Sequence, residues 1–175
     1  MKDIVRLCLE GNQKAQFELY QHLAPKMLGV CMRYASCRDE AEDFMQEGFI
    51  RMFGKLNQYK FEGAFEGWVR RVMVNTSLEL LRRNMKHTNH LDVDDDAVQI
   101  GGDENIISDL SMQELMTLVQ SLSPMYRAVF NLYVFEGYKH HEIAKELGVT
   151  EGTSKSNLSA ARKILQSKVQ KLYAS

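Results

Sequence analysis

With two prolines and 11 glycines in 175 residues, the chain has few places where a helix must stop. Such scarcity of backbone breakers selects long helices over a turn-rich β architecture. Residues 12–86 accordingly read as helix almost throughout. Asn12 is placed to cap a first helix, and Pro25 fits the first turn of a second, where its missing N–H is harmless. Asp39 is placed to cap a third, in which Phe44, Met45, Gly48, Phe49, Met52 and Phe53 recur at helical spacing. A fourth spans about Ala64 to Lys86, with Phe65, Trp68, Val69, Val72, Met73 and Leu80 on its apolar side. Helices resume at Ser111, and Ser123-Pro124 reads as a cap followed by proline at the first helical position. Two short helices then end near Gly137 and Gly148, and a last one follows Thr150.

Between these blocks the pattern lapses. Residues 88–109 show no periodicity, contain Gly101-Gly102, and carry seven acids with no Lys or Arg. This stretch reads as a flexible acidic linker. The expected architecture is therefore all-α: a helical domain over 1–87, a linker over 88–109 and a second helical domain over 110–175. The linker also explains an overall charge of −1, which suits a nucleic-acid binder poorly. Setting its seven acids aside leaves 16 acids against 22 bases, a balance of +6. Two stretches are basic, Arg70 to Lys86 and Glu151 to Lys171, each with five bases against one acid.

Several chemistries find no support. Cys8, Cys31 and Cys37 form no CxxC pair, so buried free thiols are expected rather than zinc ligands or disulfides. The pairs His87/His90 and His140/His141 lack partners at finger spacing and read as solvated. Asp94, Asp95 and Asp96 are adjacent on one strand of chain, a poor way to surround an ion. No metal, cofactor or catalytic constellation is identified. The segment MKDIVRLCLEGN is too short and too charged for a signal peptide, and no apolar run reaches membrane-spanning length. A soluble, cytoplasmic protein that is not inserted in a membrane is expected.

The segment HHEIAKELGVTEGTSKSNLSAARKIL has the grammar of a helix–turn–helix. Ile143, Ala144 and Leu147 face inward, small Ala144 permits a close crossing, and Gly148 supplies the positive φ of the turn. Leu158, Ala161 and Leu165 line the inner face of the second helix. Lys155, Ser156, Ser159, Arg162 and Lys163 remain outside, able to donate to phosphates and base edges.

Two N-terminal features point to partners. Asp43 and Glu47 lie at i, i+4 opposite the apolar stripe, with Gln46 and Ile50 on the same surface. On pattern alone a solvated face explains them better than a partner does. Arg71, Asn75, Arg82 and Lys86 fall within an arc of about 60° on an ideal helix, a polar stripe with spaced cations suited to a phosphate backbone. Before it come Tyr59, Phe61, Phe65 and Trp68, aromatics on which unpaired bases could stack. Phe65 and Trp68, at i, i+3, fit a core; Tyr59 and Phe61 are the freer candidates.

These segments together resemble the sigma factors of bacterial RNA polymerase, specifically the small extracytoplasmic-function group with domains two and four. RDEAEDFMQEGFIRMF resembles the helix that binds the polymerase β′ clamp helices. FEGAFEGWVRRVMVNTSLELLRR resembles the region that melts promoters and reads their minus-ten element. LSPMYRAVFNLYVFEGYKHHEIAKELGVTEGTSKS resembles the C-terminal domain. The resemblance implies that Asp43, Gln46, Glu47 and Ile50 dock on polymerase. Tyr59, Phe61, Arg71, Asn75, Arg82 and Lys86 would serve the minus-ten element, with a flipped-out base held by the loop before the fourth helix. Lys155, Ser156, Ser159, Arg162 and Lys163 would serve the minus-thirty-five element. The implied partners are core polymerase, at its β′ clamp helices and β flap, promoter DNA, and an anti-sigma factor that could be membrane-bound. The acidic tether would act as a nucleic-acid mimic in a basic channel, or simply as a soluble spacer. Two departures stand out: Ser154 replaces the family's usual branched apolar residue, and Ala160 stands where many members have arginine. A conventional helix–turn–helix regulator would explain residues 110–175 but leave 12–86 without a purpose.

Overall fold

A computed structural model describes residues 1–88 and 111–173, the side chains of 86–88 and 173 excepted. The described residues form eight α-helices, one 3₁₀ turn and no strand. They divide into two compact units, residues 1–80 and 81–175. The acidic segment expected to be a linker, with its three aspartates, lies outside the described residues.

The first unit begins with α1 (Lys2–Leu9), which the sequence pattern did not announce. It is held by Val5 and Cys8, buried at i, i+3. Gly11, at φ +81°, turns the chain, and Asn12 caps α2 (Gln13–Met32) as expected, its Oδ1 accepting from the Ala15 N–H at 3.0 Å. Pro25 does not open a new helix. It lies inside α2, on the exposed side, while Leu23 and Met27 on either flank are buried. An interior proline costs about 3 kcal/mol. The six buried residues of α2 include Leu19, Leu23, Met27 and Val30, and each such side chain contributes about 1.5–3 kcal/mol. Tertiary burial therefore overrides the local breaker.

Helix α3 (Arg38–Gly54) is capped by Cys37, not Asp39, which sits in its first turn. Glu40 reaches back instead, accepting from the Ser36 N–H and hydroxyl at 2.6 Å each. Phe44, Met45, Gly48, Phe49 and Met52 are buried, as the stripe requires. After a 3₁₀ turn (Leu56–Gln58), α4 (Phe65–Thr88) runs against the same core, with Val69, Met73, Val74 and Leu78 buried. Gly48 marks the closest approach: a Cβ there would stand 2.2 Å from Met73 Sδ. The Ser77 hydroxyl donates to Cys31 Sγ at 3.8 Å, and burial pushes the Cys31 thiol up to about 11. Cys8 is buried with it, but Cys37 is exposed, contrary to the expectation for all three.

In the second unit, Ser111 and Glu114 close a capping box on α5 (Met112–Gln120), as the resumption at Ser111 implied. Ser123-Pro124 starts α6 (Pro124–Val134) with proline at the first position. The α7 helix (His140–Leu147) ends on Gly148 at φ +68°, and α8 (Glu151–Tyr173) follows, Thr150 Oγ1 accepting from the Thr153 N–H at 3.0 Å. The core joins Leu118 and Leu122 to Ala161, Leu165 and Val169, with Ile143 and Leu147 buried on α7. Helices α7 and α8 form the expected helix–turn–helix.

Candidate nucleic-acid and partner interface

On α3, Asp43, Gln46 and Ile50 are exposed and Glu47 half-buried, all on the face opposite the core. Ile50 is 67% exposed, a large apolar group left in water beside two acids. Glu47 is not free. Its Oε1 accepts from Arg51 Nε at 2.8 Å, and both Nη atoms of Arg51 donate to Glu79 of α4 at 2.5 and 3.0 Å. The hydrogen bonds it donates to Glu79 and then Glu47 push the Arg51 guanidinium above its already high range. The Glu47–Arg51 spacing was legible at i, i+4; the bond to Glu79, 28 residues on, was not. Arg51 therefore fixes one acid of the α3 face and ties it to α4.

The loop before α4 departs from expectation. Tyr59, thought free to stack on a base, is 6% exposed. Its hydroxyl donates to the Gly63 carbonyl at 3.0 Å. Its ring packs with Phe61, Phe65 and Trp68 at 5.2, 5.0 and 5.6 Å between centroids. A ring surrounded on that scale contributes as core. Phe61 stays half-exposed and has φ +59°, the only non-glycine with positive φ among the described residues. That conformation costs a phenylalanine about 1–3 kcal/mol and is characteristic of functional loops. Arg6 of α1 lies over its ring, 5.7 Å from guanidinium carbon to centroid.

Along α4, Arg71 and Asn75 are exposed and Arg82 is half-buried; the Lys86 side chain lies outside the described residues. On α8, Lys155, Ser156, Ser159, Arg162 and Lys163 are all exposed. Three of them already have contacts. Lys155 pairs with Glu151 at 2.8 Å and depresses that carboxyl below its ordinary range. The Ser156 hydroxyl donates to the Thr153 carbonyl at 3.0 Å. Arg162 lies over the Tyr133 ring at 5.4 Å. The pair is exposed, so water screens it and it holds Lys155 only weakly.

Ser154 is fully buried under α7, and its Oγ meets His140 Nδ1 at 3.0 Å. His140 is half-buried and stacked on Tyr133 at 4.9 Å, so the expectation that both 140 and 141 are solvated holds only for exposed His141. Neither the His140–Ser154 bond nor the Arg6–Phe61 contact has a local sequence signal. Among the described residues no cluster of three or more His, Cys, Asp or Glu side chains could hold a metal, and no helix is long and apolar enough to cross a membrane.

A helix–turn–helix with an exposed basic second helix, in a chain whose α4 also exposes Arg71 and Asn75, has the features of a DNA-binding protein. Residues 19–87 match the model for sigma-70 region 2, and residues 112–165 the model for sigma-70 region 4. The chain is 33% identical over 153 residues to the ECF RNA polymerase sigma factor SigE of Mycolicibacterium smegmatis, covering 85% of this chain and 59% of that one. It is 29% identical to the ECF RNA polymerase sigma-E factor of Escherichia coli K12, over 97% and 94% of the two chains. To the RNA polymerase sigma-H factor of Pseudomonas aeruginosa it is 26% identical, over 98% and 94%. The sigma factor RpoE of Bartonella quintana, solved with the anti-sigma factor NepR, shares the fold at TM-score 0.52 and 22% identity, over 88% and 95% of the chains. The chain belongs to the sigma-70 family of RNA polymerase sigma factors, in the extracytoplasmic-function group that carries regions 2 and 4. It is an alternative sigma factor directing promoter-specific initiation, and the conventional-regulator reading is not favoured.

Proposed function

We propose that the exposed face of α3, with Asp43, Gln46, Glu47 and Ile50, docks on the β′ clamp helices of core RNA polymerase, and that the two units then read two promoter elements. The observation that carries this reading is the exposed Ile50 among acids on α3, in a chain whose basic stripes lie on other helices. Arg71, Asn75, Arg82 and Lys86 of α4 serve the minus-ten element, with Phe61 at the loop that holds an unstacked base. Tyr59 supports that loop from beneath. Lys155, Ser156, Ser159, Arg162 and Lys163 of α8 serve the minus-thirty-five element in the major groove. The functional division is 1–87, a tether at 88–109 and 110–175, with the second domain resting on the β flap. The tether's acids either mimic nucleic acid in a basic channel or space the domains. The protein works in the cytoplasm without cofactor or catalytic chemistry of its own, and an anti-sigma factor, free or membrane-bound, holds it in reserve.

The test is transcription from a promoter library by core polymerase with and without the chain. Initiation dependent on the chain, from promoters sharing two spaced boxes, supports the reading. No stimulation, with tight binding of the chain alone to duplex DNA, overturns it. Replacing Asp94, Asp95 and Asp96 with Asn tests the mimic: initiation slows without a change in promoter choice, or the tether is only a spacer.

A further inference from the structure

With Tyr59 buried, the base-capturing loop lacks one of its two expected aromatic faces, and the structure puts another flat group in its place. Phe61 is half-exposed, and the Arg6 guanidinium lies over its ring at 5.7 Å. Tyr59 packs against Phe61 at 5.2 Å with the rings tilted by 48°, and on its other side it meets Phe65 edge-on and Trp68 at a tilt, so Phe61 is braced from within the cluster. The Arg6 side chain is 65% exposed, and besides the Phe61 ring it contacts Asp3 at 3.5 Å. Helix α1 is fixed in place by fully buried Val5, one residue before Arg6. It lies outside residues 19–87, the stretch matched by the region 2 model.

We propose that Arg6 is the outermost layer of the base-capturing platform, its guanidinium plane receiving the unstacked promoter base over Phe61. The inference rests on the minus-ten assignment above and adds the group that contacts the base. Nearby charge favours a stacking role over a phosphate clamp. Asp3 pairs with Arg6, and Glu62 beside Phe61 is exposed next to Lys60, so both Arg6 and Lys60 have an acid close by. A phosphate site gathers unopposed cations; a guanidinium plane over an aromatic ring offers a flat face for a base.

The experiment uses holoenzyme assembled from core polymerase and the full chain, on a fork probe with duplex minus-thirty-five DNA and a single-stranded minus-ten overhang. Arg6→Ala lowers affinity for the overhang probe by about tenfold, within the range of one base stack, and leaves affinity for a fully duplex probe unchanged. Arg6→Lys keeps the charge and loses the plane, and loses most of the same affinity. On a series of probes each with one abasic nucleotide, the Arg6→Ala penalty vanishes at one position only. Full binding by Arg6→Lys, an equal loss on both probes, or a penalty that persists at every abasic position overturns the proposal. Asn75→Ala is the control for the underlying assignment: if it too leaves overhang binding intact, the minus-ten reading fails, whereas loss with Asn75→Ala alone removes only Arg6. Unchanged Trp68 fluorescence shows that the variants are folded.

Discussion

Replacing Gly48 with alanine sets two physical effects against each other within one helix. By intrinsic propensity, glycine to alanine in a helix interior stabilises by about 1 kcal/mol. At Gly48, however, the new Cβ would stand 2.2 Å from Met73 Sδ and 3.3 Å from its Cε, where ordinary contact begins at 3.4 Å. The thioether must move by more than an ångström, and Met73 is fully buried, so the movement displaces other core atoms. Overpacking of a filled core costs about 1–3 kcal/mol, and a displacement of this size belongs at the upper end. The net expectation is destabilisation of the first unit by about 2 kcal/mol. The chain has a single tryptophan, Trp68, and it sits on α4 in the aromatic cluster of that unit. Urea unfolding followed by tryptophan fluorescence therefore reports on this unit alone. With an m-value of about 1 kcal/mol/M, the midpoint falls by about 2 M. Gly67→Ala is the matched control, since nothing lies within 4 Å of its Cβ; it raises the midpoint. In a Met73→Ala background the Gly48→Ala change becomes neutral or favourable. A Gly48→Ala midpoint at or above that of the parent would refute the argument, because propensity would then outweigh the α3–α4 contact.

Three further expectations are quickly checked. Ser154→Ala removes the bond to His140 and destabilises the second unit by about 1 kcal/mol. His140→Ala costs less in that background than alone, and strict additivity in a double-mutant cycle by circular dichroism would show that the pair is not coupled. In the native state a thiol reagent titrates Cys37 rapidly, while buried Cys8 and Cys31 react only on unfolding; three fast thiols would contradict the burial. Glu114 is held below its ordinary 4.5 by hydrogen bonds from the Ser111 side chain and backbone. The charge's contribution is complete above pH 4.5 and disappears as pH falls through the lower folded value. The stability gap between the parent and Glu114→Gln therefore narrows below pH 4.5 in pH-dependent melts, and a gap constant from pH 7 to 3 excludes it.

What could be read from the sequence follows the range of the physics. Periodicity is local, so the Phe44–Phe49–Met52 stripe and the inner residues of α7 and α8 were legible. So were the caps at Asn12, Ser111 and Thr150 and the turn at Gly148, each set by residues a few positions apart. Pro25 misled because a local breaker was weighed without the burial of Leu23 and Met27 around it. Asp39 misled because several polar residues can start one helix, and only the bonds from Ser36 to Glu40 fix the register. Loop aromatics carry no period, so nothing marked Tyr59 as buried. The partnerships that shape the candidate sites are longer in range. Arg51 meets Glu79 across two helices, His140 meets Ser154 across the turn, and Arg6 meets Phe61 from the far end of the unit.

The Ser154–His140 bond shows how such a partnership changes what a residue type alone implies. On residue type, serine at an apolar position weakens the seat of the recognition helix. In the structure Ser154 is fully buried, satisfied by a histidine that is itself stacked on Tyr133, and Tyr133 in turn lies under Arg162. The lost methyl contacts, about 0.8 kcal/mol per group, are offset by a hydrogen bond worth about 0.5–1.5 kcal/mol. Stability is therefore nearly conserved, but the tie is directional where a valine contact would not be. It fixes the rotation of the first turn of α8, and with it the neighbouring Lys155 and Ser156. Under the proposed contact of Lys155 and Ser156 with the upstream box, promoter choice then depends on Ser154 and His140 as well. Ser154→Val would keep the domain folded while loosening its choice among promoters.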